Sequence, residues 1–454
     1  MMKLPDPWHI VWHYMATLHR QRQHGHDRSR LERWQEQQVR RHIQKVRKQS
    51  DFYRELWGDR PIEEWRSYPV IEKSRMMEEL DRLNTAGIRK QSAMDLALEA
   101  ERTREFTPMI GDVTVGLSSG TSGSRGLFLV SREERLAWAG TALAKLLPGP
   151  LYGRQCIAFF LRANSNLYGS VGSRRIDFQF YDLLDPLSSH VARLHRQQPD
   201  LLVAPASMLR LLADLRRDGR LPIHPRKIVS VAEVLDPLDR SKIEAAFGLP
   251  VHQVYQCTEG FLAATCAHGT LHINEDVVYV QKEYVDRASG KFVPIITDFS
   301  RITQPIIRYR LNDLLTERKE PCPCGSPYME LDRIDGRCDD IFYFPSASGE
   351  GLVPIFPDFI ARLIVSSSAE VTAYHAVLHA PDALELALEV PGEGEHRRDA
   401  QLAIVESLRS LAERTKSRPP AVNFTAYRHV PGERKLRRVE RRFSLDGGNG
   451  HSLV

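Results

Sequence analysis

Four short stretches of this chain carry residues able to hold an anion, a planar base or a hard cation. "LSSGTSGSRG", residues 117–126, spaces Gly120, Gly123 and Gly126 by threes, with Ser118, Ser119, Thr121 and Ser122 as hydroxyl donors and Arg125 as a charge. Glycines let backbone amides approach an anion, so the stretch suits a phosphate; a plain turn before a strand suits the same composition. It is not a Walker loop, which needs Gly, four residues, then Gly-Lys-Ser/Thr. "YQCTEG", residues 255–260, offers the aromatic face of Tyr255, the hydroxyl of Thr258 and the carboxylate of Glu259, an oxygen ligand of the kind Mg²⁺ prefers. "IIRYRLNDLL" (306–315) and "RIDGRCDDIF" (333–342) set Arg and Asp beside turns, which suits sugar hydroxyls and phosphates and equally suits a surface turn.

The cysteines raise a separate possibility. "PCPCG" places Cys322 and Cys324 two apart, and Cys266 lies in "TCAHGTLHI" with His268 and His272 close behind. Two thiolates on a tight turn, with a Cys and a His from another hairpin, suit tetrahedral Zn²⁺; free cysteines are the alternative. Cys156, Cys257 and Cys338 read as structural, although Cys257 falls inside "YQCTEG". Six cysteines in 454 residues do not make a disulfide framework, so a cytoplasmic location is expected.

These residues need elements to hold them. "CIAFFLRA" (156–163), "LLVAPAS" (201–207), "KIVSVAEV" (227–234) and "VHQVYQC" (251–257) read as buried strands. "ASMLRLLADLRRDG" (206–219) and "PLDRSKIEAAFG" (237–248) read as helices closed by Gly. Strand–helix–strand order predicts an α/β layer with parallel pairing, which puts "YQCTEG" at a strand's carboxyl end, where such sheets bind ligands. Residues 270–345 turn to short strands. The last hundred residues read as a small α+β unit, with helices at 357–367 and 398–415 and strands near 371–379 and 384–390. At the other end, Leu31, Trp34, Val39, Ile43 and Val46 fall near helical spacing within the basic segment 19–48. That helix shows either a solvated basic face or a docking surface for an acidic partner.

Composition limits the function classes. At 42% hydrophobic and 27% charged, the chain is an ordinary globular one. A net charge of +5 is small for a nucleic-acid binder, no apolar run would span a bilayer, and the N-terminus makes a poor signal peptide.

In their order along the chain, the Ser/Thr/Gly loop, Tyr-x-x-Thr-Glu, Arg-Tyr-Arg-x-x-Asp and Gly-Arg-x-Asp-Asp resemble the adenylate-forming superfamily of acyl-CoA synthetases. The similarity points to the phenylacetate–CoA ligase branch, which includes coenzyme F390 synthetase-like proteins. "VAPASMLRLLADL", "LHINED", "IITDFSRITQPIIRYRLNDL" and the lead-in "DFYRELW…YPVIEKSRM" extend it over nearly the whole chain. The resemblance implies a large N-terminal α/β domain, residues 1–337 with a helical lead-in to 105, and a small mobile α+β domain, residues 338–454. It implies that Ser118–Gly123 and Arg125 cradle the ATP phosphates and that Ala232 and Glu233 flank the nucleotide. Tyr255 would stack on adenine, Thr258 would touch phosphate and acyl carboxylate, and Glu259 would bind Mg²⁺. Asp313 would take the ribose hydroxyls, Arg337 would bind nearby, and Asp339 would be the hinge. Lys435, in "PGERKLRRVERR", would contact the α-phosphate. Tyr168, in "NSNLYGS" (164–170), and Phe261 would line the acyl pocket. Cys266, His272, Cys322 and Cys324 would hold a structural zinc.

The pattern has departures. Ser124 and Arg125 stand where Lys-Pro is usual, Gln256 and Asn312 replace glycines, and Val231-Ala232-Glu233 replaces Gly-Ala-Glu. The function expected is ATP-dependent adenylation of a carboxylic acid, aromatic by the resemblance, followed by acyl transfer to CoA or to the phosphopantetheine of an acyl carrier protein. AMP transfer of the F390 type and a nucleotide-binding scaffold are the alternatives. Expected partners are the small acid and, as acceptor, a carrier protein; no nucleic acid is expected, and a homodimer stays open.

Overall fold

Buried apolar runs build the main sheet. In the computed structural model, which describes residues 5–25, 27–118, 125–392, 394–431 and 435–445, Gln155–Leu161 pairs in parallel with Ile176–Asp182 and with Leu201–Ala204. Lys227–Ser230 and Val251–Cys257 continue the parallel order. Helices cover these strands, so runs such as "LLVA" are apolar throughout rather than alternating. Each strand stops for a local reason. Leu201–Ala204 gives way to Pro205 and the helix Ala206–Arg217, and Lys227–Ser230 ends before Ala232, whose φ of 65° lies in the left-handed region. The sequence had carried both runs three or four residues further.

At Gly260 the chain reverses. Gly260–Thr265 pairs antiparallel with Val251–Cys257, and the sheet continues through Leu271–Ile273, Glu330–Arg337, Asp313–Glu317, Lys291–Asp298 and Val278–Asp286. One sheet is thus parallel on one side of Val251–Cys257 and antiparallel on the other. Val113–Leu117 and Leu127–Val130 pair antiparallel in a separate small sheet, on either side of the Ser/Thr/Gly segment in the sequence.

The N-terminal segment is built into this body. Leu31, Val39, Ile43 and Val46 of the helix Arg28–Gln49 are fully buried, and the last three share a core with Trp57, Trp65, Ile296 and Tyr309. The preceding helix, Asp6–His24, lies so close against Arg132–Leu146 that a Cβ on Gly140 would stand 2.6 Å from the Ile10 carbonyl oxygen. Thr17 and Thr141 meet through their hydroxyls in the same contact.

A second core gathers Phe342, Phe344, Ile360, Tyr374, Leu386, Ile404 and Leu408. Its sheet runs Ala421–Ala426, Ala383–Glu389, Ala373–Ala380, Val439–Arg441, flanked by the helices Pro357–Ser367 and Glu395–Thr415. The predicted helix at 357–367 has these bounds because Pro357 fixes its first turn. Ion pairs and hydrogen bonds join this unit to the large body: Lys291 to Asp358 at 2.8 Å, Arg438 to Asp239 at 2.5 Å, and the Tyr374 hydroxyl to Asp236 at 2.8 Å. Among the described residues, no helix is long and apolar enough to cross a membrane.

Candidate active site

A cleft of about 2400 Å³ opens at the carboxyl ends of the parallel strands, roofed by Tyr374 and the segment from Lys435 onward. Asn164, Ala232 and Glu233 enter it from strand ends, and Tyr255–Gly260 from the parallel-to-antiparallel turn. Asp313 and Arg337 face each other as paired residues of adjacent strands. Asp339 sits one turn further, accepting from the Asn312 amide at 2.5 Å. Ser118, Arg125, Thr258, Phe261, Tyr168 and Lys435 also line the cleft. Ser119, Gly120, Thr121, Ser122 and Gly123 lie outside the described residues.

Hydrogen bonds fix the polar groups. Tyr255 donates its hydroxyl to Asp313 Oδ2 at 2.5 Å. Glu259 accepts from Thr258 Oγ1 at 2.8 Å and from the Tyr309 hydroxyl at 3.0 Å. Arg301 donates to the Thr258 carbonyl, pinning the turn. Glu233 accepts from the Ser207 amide and hydroxyl and from the Leu436 amide at 3.1 Å, so its carboxylate ties the Lys435 segment to the large body. The strained φ of Ala232 aims this corner, and such strain persists only where surrounding contacts enforce it.

The electrostatics follow from burial and opposed charges. Burial raises the Asp313 pKa, while the Tyr255 hydroxyl and the Arg337 charge work against the rise. Burial lowers that of Lys435; Arg337 lowers it further, and Glu233 and Asp313 oppose the shift. A half-buried cation beside carboxylates and a guanidinium is the arrangement expected where an anionic ligand is to be met.

Two cations stand at the loop's neck. Arg125 forms an ion pair with Glu101, and the ammonium that reaches the neck belongs to Lys73, 3.4 Å from Ser118 Oγ. The charges of Glu259 and Arg337 also act on Lys73, placing it on the same cleft. Sequence reasoning passed over it; the signal available was a lysine opening the short helix Lys73–Glu78 inside the lead-in. Tyr309, in "IIRYR", was likewise not singled out as the partner of Glu259.

An apolar cavity of about 100 Å³ shares Tyr168, Ala232 and Gln256 with the cleft. Trp138, Phe159, Phe178 and Tyr168 wall it with rings; Phe159 and Tyr168 have centroids 4.8 Å apart, and Trp138 meets Tyr168 edge-on. Phe261 is buried in the core that surrounds this cavity and also faces the cleft.

Away from the cleft, ligand atoms of Cys266, His272, Cys322 and Cys324 all lie within 4.8 Å of one another. Cys266 Sγ is 3.6 Å from Cys322 Sγ, and Cys324 Sγ is 3.4 Å from His272 Nε2. A tetrahedral ion at about 2.3 Å from sulfur and about 2.0 Å from nitrogen spaces its ligand atoms by roughly 3.5–3.8 Å, so the donor set fits zinc. His272 Nδ1 lies 3.3 Å from the Tyr328 carbonyl, the outer contact that turns Nε2 toward the sulfurs.

No protein-family model matches the chain. Over 159 residues, 34% of this chain, it is 27% identical to Protein CapK of Staphylococcus aureus; the match spans 35% of that protein's length. The structure superposes on 2-hydroxyisobutyryl-CoA ligase, in the postadenylation state with 2-HIB-AMP, with a TM-score of 0.65 at 18% identity, covering 90% of this chain and 89% of that one. Against the same ligase with 2-HIB-AMP and CoA in the thioesterification state the TM-score is 0.51 at 20% identity, over 90% and 89% of the two chains. The GH3.15 acyl acid amido synthetase gives 0.57 at 12% identity, over 87% and 86%. With a sheet that changes from parallel to antiparallel at Val251–Cys257 and a small C-terminal unit closing over the cleft, this chain has the fold of the adenylate-forming ligases.

Proposed function

We propose that this chain activates a carboxylic acid with ATP and passes the acyl group to a thiol. The observation that carries the reading is the convergence of Lys435, Asp313, Arg337, Thr258 and Glu259 on one cleft. In the first step a carboxylate oxygen attacks the α-phosphorus, the bond to the β-phosphate oxygen breaks, and pyrophosphate leaves. Charge builds on the α-phosphate oxygens, where the Lys435 ammonium stabilises it. Mg²⁺, held through Glu259, would supply Lewis-acid neutralisation of the phosphates. Tyr309 and Thr258 orient that carboxylate. Tyr255 offers its ring to adenine, Asp313 takes the ribose hydroxyls and Arg337 binds beside it. The loop 118–126 covers the β- and γ-phosphates, with Lys73 and Ser118 at its neck. In the second step a thiolate attacks the acyl carbonyl and AMP leaves.

The ring-walled cavity beside Tyr168 supports an aromatic acid, whose carboxylate would project into the cleft at Gln256 and Ala232. The thiol is that of CoA or of a carrier protein's phosphopantetheine. Residues 1–337 and 338–454 act as two bodies hinged at Asp339, and the better superposition on the postadenylation arrangement supports the present pose as the adenylating one. Zinc at Cys266, His272, Cys322 and Cys324 is structural, because four protein ligands leave no open position.

The test is ATP–pyrophosphate exchange across a panel of aryl, short-chain and fatty acids, without thiol and then with CoA or carrier protein. Exchange that depends on an aryl acid, followed by thioester on adding the acceptor, is expected. An adenylylated product that keeps its AMP would replace this reading with AMP transfer, and ATP binding without exchange would leave a scaffold.

A further inference from the structure

The helix Asp6–His24 has two faces of different character. Ile10, Tyr14 and Thr17 turn toward Arg132–Leu146, and His13 and Arg20 reach the cleft wall. Trp8, Val11, Trp12 and Met15 recur at helical spacing on the opposite face, where they are 63%, 36%, 61% and 57% exposed. The helix is not loosely attached: the Gly140 contact, the Thr17–Thr141 hydroxyls and the Asp6–Arg132 ion pair hold it in place. Two tryptophans, a valine and a methionine are therefore held facing water. Isolated exposed apolar residues need no explanation, but a contiguous set of this size marks an interaction surface.

Charge identifies the occupant. Residues 1–50 contain eleven Lys and Arg and four Asp and Glu, a net +7, against +5 for the whole chain. Arg22 continues the Trp face, and Arg30, Arg33, Arg41, Lys45 and Lys48 are exposed along the next helix, Arg28–Gln49. Tryptophan with neighbouring basic residues suits the boundary between acyl chains and anionic headgroups, where the indole sits amphipathically and each basic side chain adds attraction. A second copy fits less well. The apolar patch exposes on the order of 450 Å², short of the roughly 800 Å² that each partner of a stable complex buries. A carrier protein delivering its thiol would dock at the cleft mouth, which His13 and Arg20 line, whereas Trp8, Val11, Trp12 and Met15 are not among its lining residues.

We propose that Trp8, Val11, Trp12 and Met15, with the exposed basic residues of this helix and the next, seat this protein on the surface of an anionic bilayer. The proposal is independent of the reaction assigned above. It is tested with the full-length protein by co-sedimentation with vesicles of phosphatidylcholine containing about 30 mol% phosphatidylglycerol, and with phosphatidylcholine alone. Binding to the anionic vesicles is expected to be about tenfold tighter than to the neutral ones and to weaken with salt. Trp8→Glu/Trp12→Glu is expected to lose about tenfold in vesicle binding at unchanged melting temperature and pyrophosphate exchange. Arg30→Glu/Arg33→Glu is expected to narrow the difference between the two lipid compositions. Absence of binding to anionic vesicles, or equal binding by the Trp8→Glu/Trp12→Glu variant, would overturn the proposal. So would a lipid-free dimer, or a complex with an acidic carrier protein, that this variant abolishes while vesicle binding persists.

Discussion

The charges of Arg337, Glu233 and Asp313 all act on Lys435, and burial of the site lowers its pKa below the ordinary lysine value. Only the protonated form can neutralise charge on the α-phosphate. Adenylation should therefore be fully supported below the lowered pKa and fall as pH rises through it, reaching its alkaline limb earlier than an exposed lysine would give. Thioester formation from preformed acyl-AMP should lack that limb. Lys435→Ala should reduce adenylation by about 100-fold or more, while leaving the second half-reaction within about threefold. Half-reaction assays across pH read both effects, and equal loss of both steps would show that Lys435 supports the site's structure instead. The same scale shows a second charge at the loop that sequence adjacency does not reveal. Arg125 adjoins the glycines in sequence but pairs with Glu101, while Lys73 arrives from 45 residues upstream to meet Ser118.

Elements set by local pattern were legible in the chain. Val251–Cys257 was read with its bounds because Val251, Val254 and Tyr255 are buried and the strand ends at a turn, and Pro357–Ser367 because proline opens it. What the pattern could not supply was partnership. Short strands were expected over 270–345, yet nothing local says that Leu271–Ile273 lies beside Glu330–Arg337, nor that Asp313 faces Arg337. The Cys/His cluster was legible because its composition is unusual: Cys266 and His272 belong to one hairpin, and Cys322 and Cys324 occupy the loop leading to Glu330–Arg337. Zinc there would clamp two antiparallel connections that otherwise rest on few backbone bonds. Elemental analysis should find about one zinc per chain, and Cys322→Ser or chelation should lower the melting temperature by several degrees. Pyrophosphate exchange should then decline in step with the fraction unfolded rather than before it. Metal-free protein of full stability would refute the assignment.

At the scale of the whole molecule, the seam between the two cores holds buried charge. Lys291 is fully buried and reaches Asp335 at 3.2 Å within the large body and Asp358 at 2.8 Å across the seam. Arg438 meets Asp239, Tyr374 meets Asp236, and Arg210 pairs with Glu389. Such groups are expensive to separate, because each charge left without its partner keeps its desolvation cost. If the C-terminal unit rotates between half-reactions, these contacts exist in the adenylating pose and must part in the other. Their strength then sets the balance between poses rather than the stability of either unit. Tyr374→Phe deletes one buried hydrogen bond, worth about 1 kcal/mol or roughly fivefold in that balance, and Asp358→Asn weakens the Lys291 contact without emptying it. Each variant should slow pyrophosphate exchange by a few-fold and leave thioester formation from preformed acyl-AMP unchanged or faster. The double variant should show the product of the two effects, since the contacts share no partner. Measuring the two half-reactions separately decides the matter. Opposite movement identifies the seam as the element that sets the pose, whereas parallel loss with a lowered melting temperature would make these pairs ordinary supports of the fold.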